Sequence, residues 1–173
     1  MLGGACMSKI DSSVFDTGPF IHLDDVGGLN NLKLFNYILI TEEVYDELRE
    51  LKSKISKIKN VSTKNLISKN KDHAKYLIEE YGLDFGEATS ISLCMQENVK
   101  LFFTDDLEAK EIARHLGLDA HGTIAIITRC FREGIISKQE AVKYIRDLYD
   151  KSSLFITIDL VKWTINAIEK FKV

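Results

Sequence analysis

A chain of 173 residues, 45% of them hydrophobic, is long enough to close one domain around a substantial core. Charged residues make up 28% and the net charge is −3, which excludes a disordered polyelectrolyte and a broadly basic nucleic-acid coat, so a polyanion must meet a local patch. Three scattered cysteines, Cys6, Cys94 and Cys130, exclude a disulfide framework or a paired-cysteine metal knuckle.

The first residues, Met1 to Cys6, lack the charged start and apolar run of a leader, and Met7 reads as well as a start, so residues 1–10 are expected to be ragged and without function. Ser13-Val-Phe-Asp16 then reads as a buried strand broken by the turn chemistry of Thr17-Gly18-Pro19, which leaves Asp16 at its carboxyl end. Tyr37-Ile-Leu-Ile40 is a second buried strand. Thr41 caps the helix after it, whose first turn sets Glu42 and Glu43 against the positive end of the dipole. Val44, Leu48, Leu51, Ile55 and Ile58 form one apolar stripe and predict a single long helix, with Glu47 ~60° from the stripe's centre.

Between Lys52 and Lys75 stand eight lysines against one acid, Asp72, with weak periodicity around Asn60 to Asn65, and this reads as the least regular segment. A helix is expected to resume near Asp72 and to end at Tyr81-Gly82, and another opens at Asp84-Phe-Gly-Glu87 with Ala88, Ile91 and Met95 inward. Leu101-Phe-Phe-Thr104 is a third buried strand, terminated by Asp105 and Asp106. Ala109, Ile112, Ala113 and Leu116 stripe the next helix up to Gly117. Leu118 to His121 reads as a short fourth strand, and Gly122-Thr123 opens a helix to Glu133 that Gly134 stops. Ser137-Lys-Gln-Glu140 is a capping box for a further helix. Leu154-Phe-Ile-Thr157 reads as an edge strand before a last helix from Leu160 to Phe171, so residues 150–173 make a strand and helix extension packed on a single domain spanning 1–173.

Strands that alternate with helices, and that are apolar runs rather than alternating ones, imply an α/β fold with a mainly parallel sheet of four or five strands covered on both faces. No apolar stretch approaches the ~20 residues that span a bilayer, so a cytoplasmic protein with no membrane association is expected. In such sheets sites lie beyond the carboxyl ends of the strands, where the chain order reverses. Asp16, Asp105 and Asp106 end strands, and Glu47 and Glu87 sit on helices leaving the same edge. Carboxylates gathered there raise one another's pKa unless a cation neutralises them. Oxygen-only donors favour Mg²⁺ or Mn²⁺ over zinc, and such ions activate water and neutralise charge on a phosphodiester.

Val14-Phe15-Asp16-Thr17-Gly18-Pro19, Val44-Tyr-Asp-Glu47-Leu48, Gly86-Glu87-Ala88 and Thr104-Asp105-Asp106 resemble, in order and spacing, the four acidic motifs of PIN-domain nucleases. The Asp105-Asp106 helix, Gly122-Thr123 and Gly134-Ile-Ile-Ser137 further resemble small prokaryotic PIN proteins related to VapC-type toxins. The resemblance implies a three-layer α/β/α sandwich and a divalent-metal-dependent endoribonuclease. It makes Asp16, Glu47, Glu87 and Asp106 the metal ligands, with Asp105 sharing or exchanging the role of Asp106. Glu87 stands where the family often has aspartate. It also implies a homodimer and a partner antitoxin. Thr17 and Thr104 stand beside these acids, where they can hold a ligand or a water, and Lys52, Lys54, Lys57 and Lys59 are candidates for the RNA backbone.

Other readings remain open at this point. Asp84 with Glu87, and Asp105 with Glu108, match capping boxes, and Asp16 is an ordinary turn former. The same fold then serves as a noncatalytic RNA- or protein-binding module, and paired aspartates also build phosphoacceptor sites. His22, His73, His115 and His121 show no metal-ligand spacing and read as surface residues. Cys94, Cys130 and Trp163 read as packing, Trp163 alternatively as part of a docking face.

Overall fold

The computed structural model describes residues 9–171; Met1 to Cys6, and with them Cys6 and most of the stretch expected to be ragged, lie outside that range. The apolar runs of the sequence become five parallel strands, β1 (Ile10–Phe15), β2 (Phe35–Thr41), β3 (Val61–Lys64), β4 (Leu101–Phe103) and β5 (Asp119–His121), in the order β3-β2-β1-β4-β5. Successive side chains of a strand face opposite sides, and neighbouring strands are in register. Val14 lies beside Phe102 and Leu39, while Phe15 lies beside Phe103. The first set joins a core beneath α4 (Ser68–Tyr81), α5 (Phe85–Glu97) and α6 (Leu107–His115). The second joins a core beneath α1 (Thr17–Asp25), α7 (Thr123–Arg132), α8 (Lys138–Lys151) and α9 (Ile158–Lys170). The result is the expected three-layer α/β/α sandwich with an all-parallel sheet. Phe15 anchors one layer, its ring 4.7 Å from that of Phe103 and 5.1 Å, edge-on, from that of Phe35, geometries that add to simple burial.

Four local expectations need correction. Thr17-Gly18-Pro19 does not turn out of the strand; it is the first turn of α1, where proline costs no helical hydrogen bond. The stripe from Val44 to Ile58 is not one helix. It is α2 (Glu42–Glu47) and α3 (Lys52–Ile55) with turns between, closed by bonds such as Leu51 N–H to Leu48 O at 2.7 Å. Val44, Leu48 and Ile55 are nonetheless buried, because periodicity reports which face is covered and not whether the backbone is continuous. The irregular lysine-rich segment holds β3, which runs parallel to β2 with Ile38 beside Val61, and α4 begins at Ser68, ahead of Asp72. At the other end, residues 154–157 alternate inward and outward like a strand, with Leu154 and Ile156 on the core, but pair with no neighbour.

Helix ends follow their signals. Thr41 accepts from Val44 N–H at 3.2 Å, Ser137 and Glu140 form the capping box of α8, and Gly82, Gly117 and Gly134 stop helices with φ of +70°, +82° and +68°. Cys94 and Cys130 are buried thiols, that of Cys130 pushed up to about 12 by burial, so both serve packing. Among the described residues no helix is long and apolar enough to cross a membrane.

Candidate active site at the switch point

The strand order runs outward from β1 through β2 to β3, then returns to β4 on the other side of β1. The reversal therefore falls between the carboxyl ends of β1 and β4, where a crevice opens. Asp16 stands there, its N–H donating to Phe103 O at 2.8 Å. Its carboxylate is only 7% exposed and accepts from the Thr104 hydroxyl at 3.0 Å. The same hydroxyl oxygen accepts from Asp106 N–H at 3.2 Å, so Thr104 ties the acid of β1 to the loop after β4.

The other carboxylates arrive on helices. Thr17 donates to Glu47 at 2.6 Å, and a cavity of about 350 Å³ is lined by Asp16, Thr17, Glu47, Asp84, Phe85, Gly86 and Glu87. Glu87 sits in the first turn of α5 and accepts from Asp84 N–H at 3.1 Å. Asp106 caps α6, accepting from Ala109 N–H at 2.8 Å. The capping roles read from sequence for Asp84 with Glu87 and for the β4 loop are thus present, the latter made by Asp106 and not by Asp105. Glu87 still lines the cavity while it caps, whereas Asp106 is not among the lining residues and reaches the site through its charge, which raises Glu87.

The electrostatics are those of crowded, dehydrated anions. Burial is the main reason that Asp16 is pushed up to about 6; hydrogen bonds from Thr17 N–H and Thr104 act against it, and the charges of Glu47 and Asp105 reinforce it. Burial likewise pushes half-buried Glu87 up to about 7, opposed by its bond to Asp84 N–H and reinforced by Asp106, Asp16 and Asp84. Such displacements mark groups whose ionisation the surroundings do not satisfy.

Asp105 behaves in the opposite way. Burial would raise it, but bonds from His22 and Thr123 outweigh burial and hold it below the usual carboxylate range. His22 Nδ1 lies 2.7 Å from Oδ2, and Thr123 gives both its N–H, at 2.8 Å, and its hydroxyl, at 2.5 Å. A Cβ on Gly122 would fall 2.5 Å from Asp105 Oδ1, so only glycine admits the carboxylate. His22 is therefore not a surface histidine; its side chain is 13% exposed. Sequence reading missed it and Thr123. The one available signal was its spacing of four from Gly18, which puts both on the face of α1 that meets Asp105.

The donor chemistry fits a hard divalent cation, since the polar side chains lining the crevice offer oxygen alone and burial raises two of its carboxylates. Among the described residues no three acidic, histidine or cysteine side chains yet stand at mutual metal-ligating spacing. The lysines lie elsewhere. Lys54 and Lys57 line a hollow with Lys33 and Asn60 at the amino ends of β2 and β3, Lys54 pairing with Asp24 at 2.8 Å. Lys59 adjoins them in sequence, and Lys52 pairs with Asp46 at 2.6 Å. Lys54 and Lys57 thus face away from the crevice.

A doubly wound parallel sandwich with acids converging on its switch point defines the class of this protein. The chain belongs to the PIN-domain family: a family model described as a PIN domain matches residues 12–170. PIN domains are generally nucleases. No curated protein matches the chain.

Proposed function

We propose that the chain is a divalent-metal-dependent endoribonuclease. The observation that carries this reading is the crevice itself: Asp16, Glu47 and Glu87, from three different elements, line one cavity of about 350 Å³, where burial pushes Asp16 and Glu87 above the usual carboxylate range. A site that dehydrates carboxylates without a basic partner suits a cation, and Mg²⁺ or Mn²⁺ held there supplies charge neutralisation to a phosphodiester and an activated water. Asp16, Glu47, Glu87 and Asp106 are the residues to hold it. Thr104 orients Asp16, and Thr17 orients Glu47. Asp105, already engaged by His22 and Thr123, positions the β4 loop in place of acting as a ligand. RNA incubated with Mg²⁺, Mn²⁺ or EDTA, with wild type against Asp16→Asn, is the test. Cleavage in the metal arms alone, lost in the variant, is expected, and equal cleavage in all arms overturns the reading. The reading extends to a toxin restrained by an antitoxin, for which expression of wild type, and not of Asp16→Asn, should arrest growth.

A second reading draws on the local bonds of Glu87 and Asp106: with those acids serving only as caps, the fold is a noncatalytic RNA- or protein-binding module. RNA binding that is indifferent to metal and without turnover favours it.

A further inference from the structure

Beside the crevice, past Asp105 and Gly122, runs a groove of about 650 Å³ between α6, α7, the unpaired segment 154–156 and α9. Lys110 and Arg114 stand one turn apart on α6, Arg114 donating to Ala120 O, and Arg132 lines the same groove from α7. Asp105 is the single carboxylate of the lining, so cations outnumber anions there, in a chain whose net charge is −3. Two aromatic rings are displayed at the rim, Phe155 at 88% exposure and Trp163 at 69%. Leaving such rings in water is unfavourable, and the alternation that turns Leu154 and Ile156 inward necessarily turns Phe155 out.

We infer that this groove binds single-stranded RNA, with bases stacked on Trp163 and Phe155 and phosphates on Lys110, Arg114 and Arg132. The inference rests on the ribonuclease reading for the choice of RNA, and it sends the strand from the crevice toward α9 in place of the lysine-rich segment. Exposed aromatic faces interleaved with cations are the equipment of single-strand binding, whereas a duplex presents no base faces to them. An acidic peptide would answer the cations and leave both rings unexplained.

Trp163 is the only tryptophan of the chain, so its fluorescence reads the groove directly. Unlabelled oligouridylate of about ten nucleotides, added in EDTA so that nothing is cut, is expected to quench Trp163 saturably. The logarithm of affinity should fall with that of salt at a slope of about −2 for three phosphate contacts. Phe155→Ala, at a fully displayed position, should weaken binding roughly tenfold, and Arg114→Gln with Arg132→Gln should remove most of the salt dependence. Absence of quenching while the anisotropy of labelled RNA reports binding places the strand elsewhere and overturns the inference. So does equal quenching by duplex RNA, or a Trp163 emission shift driven by protein concentration alone, which would make the groove an interface between two copies. Quenching without cleavage in Mn²⁺ keeps the groove and discards the nuclease, and cleavage without quenching does the reverse.

Discussion

The carboxylate of Glu47 lies against the bare α-carbon of Gly86: a methyl group there would stand 2.9 Å from each of its oxygens. Glu47 is an exposed side chain on α2, held by Thr17, and Gly86 is the second residue of α5, so one missing side chain lets the two helices share the crevice. In Gly86→Ala the flexible carboxylate must yield. The expected cost in stability is within about 0.5 kcal/mol, because α5 gains a better helix former and only an exposed side chain moves. Cleavage should nevertheless fall at least ~10-fold, since an ångström at a catalytic carboxylate is that expensive. Parallel thermal melts and cleavage rates check this, and a variant of full activity would show that the Glu47 position does not matter.

Asp16 should weaken the metal-free protein at neutral pH. Its folded pKa, about 6, exceeds the ordinary aspartate value of 3.8, so between those values the folded state binds more protons than the unfolded state. Stability therefore falls as pH rises through that window and stays low above it, by about 3 kcal/mol at 1.36 kcal/mol per unit. Glu87, displaced in the same direction, extends the decline toward pH 7. Asp16→Asn keeps an acceptor for Thr104 without the charge, so in EDTA at pH 8 it should melt roughly 6–12 °C above wild type and at pH 4 alongside it. A melting temperature at pH 8 no higher than that of wild type would contradict the burial argument.

What could be read in advance follows from where the signal lies. Val14-Phe15, Leu39-Ile40 and Phe102-Phe103 are buried on both faces of the sheet, so their runs are continuous and legible. β3 is held to β2 by backbone bonds while its side chains are largely solvated, so Val61-Ser-Thr-Lys64 carries no pattern. Asp16, Asp105 and Asp106 were legible as candidates because they follow strands, and Glu87 because it lies in the first turn of α5, whereas Glu47 stands at the end of α2 and rested on the motif alone. The His22 to Asp105 contact spans 83 positions, and its one local trace is the spacing of His22 from Gly18, which does not name the partner. A count of lysines along the chain does not say which end of the sheet their charge faces, and Lys54 and Lys57 line a hollow away from the crevice.

Metal should reverse the cost of Asp16. Binding requires ionised carboxylates, so protons compete with the cation. At pH 8, Mn²⁺ at 100 times its Kd should add about 2.7 kcal/mol to the stability of wild type. At pH 5, below the values of Asp16 and Glu87, the gain should shrink to a small fraction, and in Asp16→Asn it should be small at either pH. Melting curves in EDTA and in Mn²⁺ at both pH values test this, and equal gains in all four combinations would mean that the ion binds outside the crevice.

The contact of His22 with Asp105 has the opposite pH signature. Asp105 is held below its usual range, so it contributes stability above its unfolded pKa, and that contribution is lost as pH falls through the folded value. The bond from His22 is the largest influence opposing burial there. His22→Ala leaves a nearly buried carboxylate with one partner residue fewer, a loss of about 2 kcal/mol for a hydrogen bond to a charged group. That deficit should be full at pH 7 and should narrow as pH falls below the ordinary carboxylate range toward the depressed folded value of Asp105. Because Thr123 retains its two bonds, the β4 loop should keep its position and cleavage should fall by less than the ~10-fold expected of Gly86→Ala. Denaturant titrations at pH 7 and pH 3 measure the stability difference. A deficit that persists unchanged at pH 3 would assign the role of His22 to packing and not to its bond with Asp105.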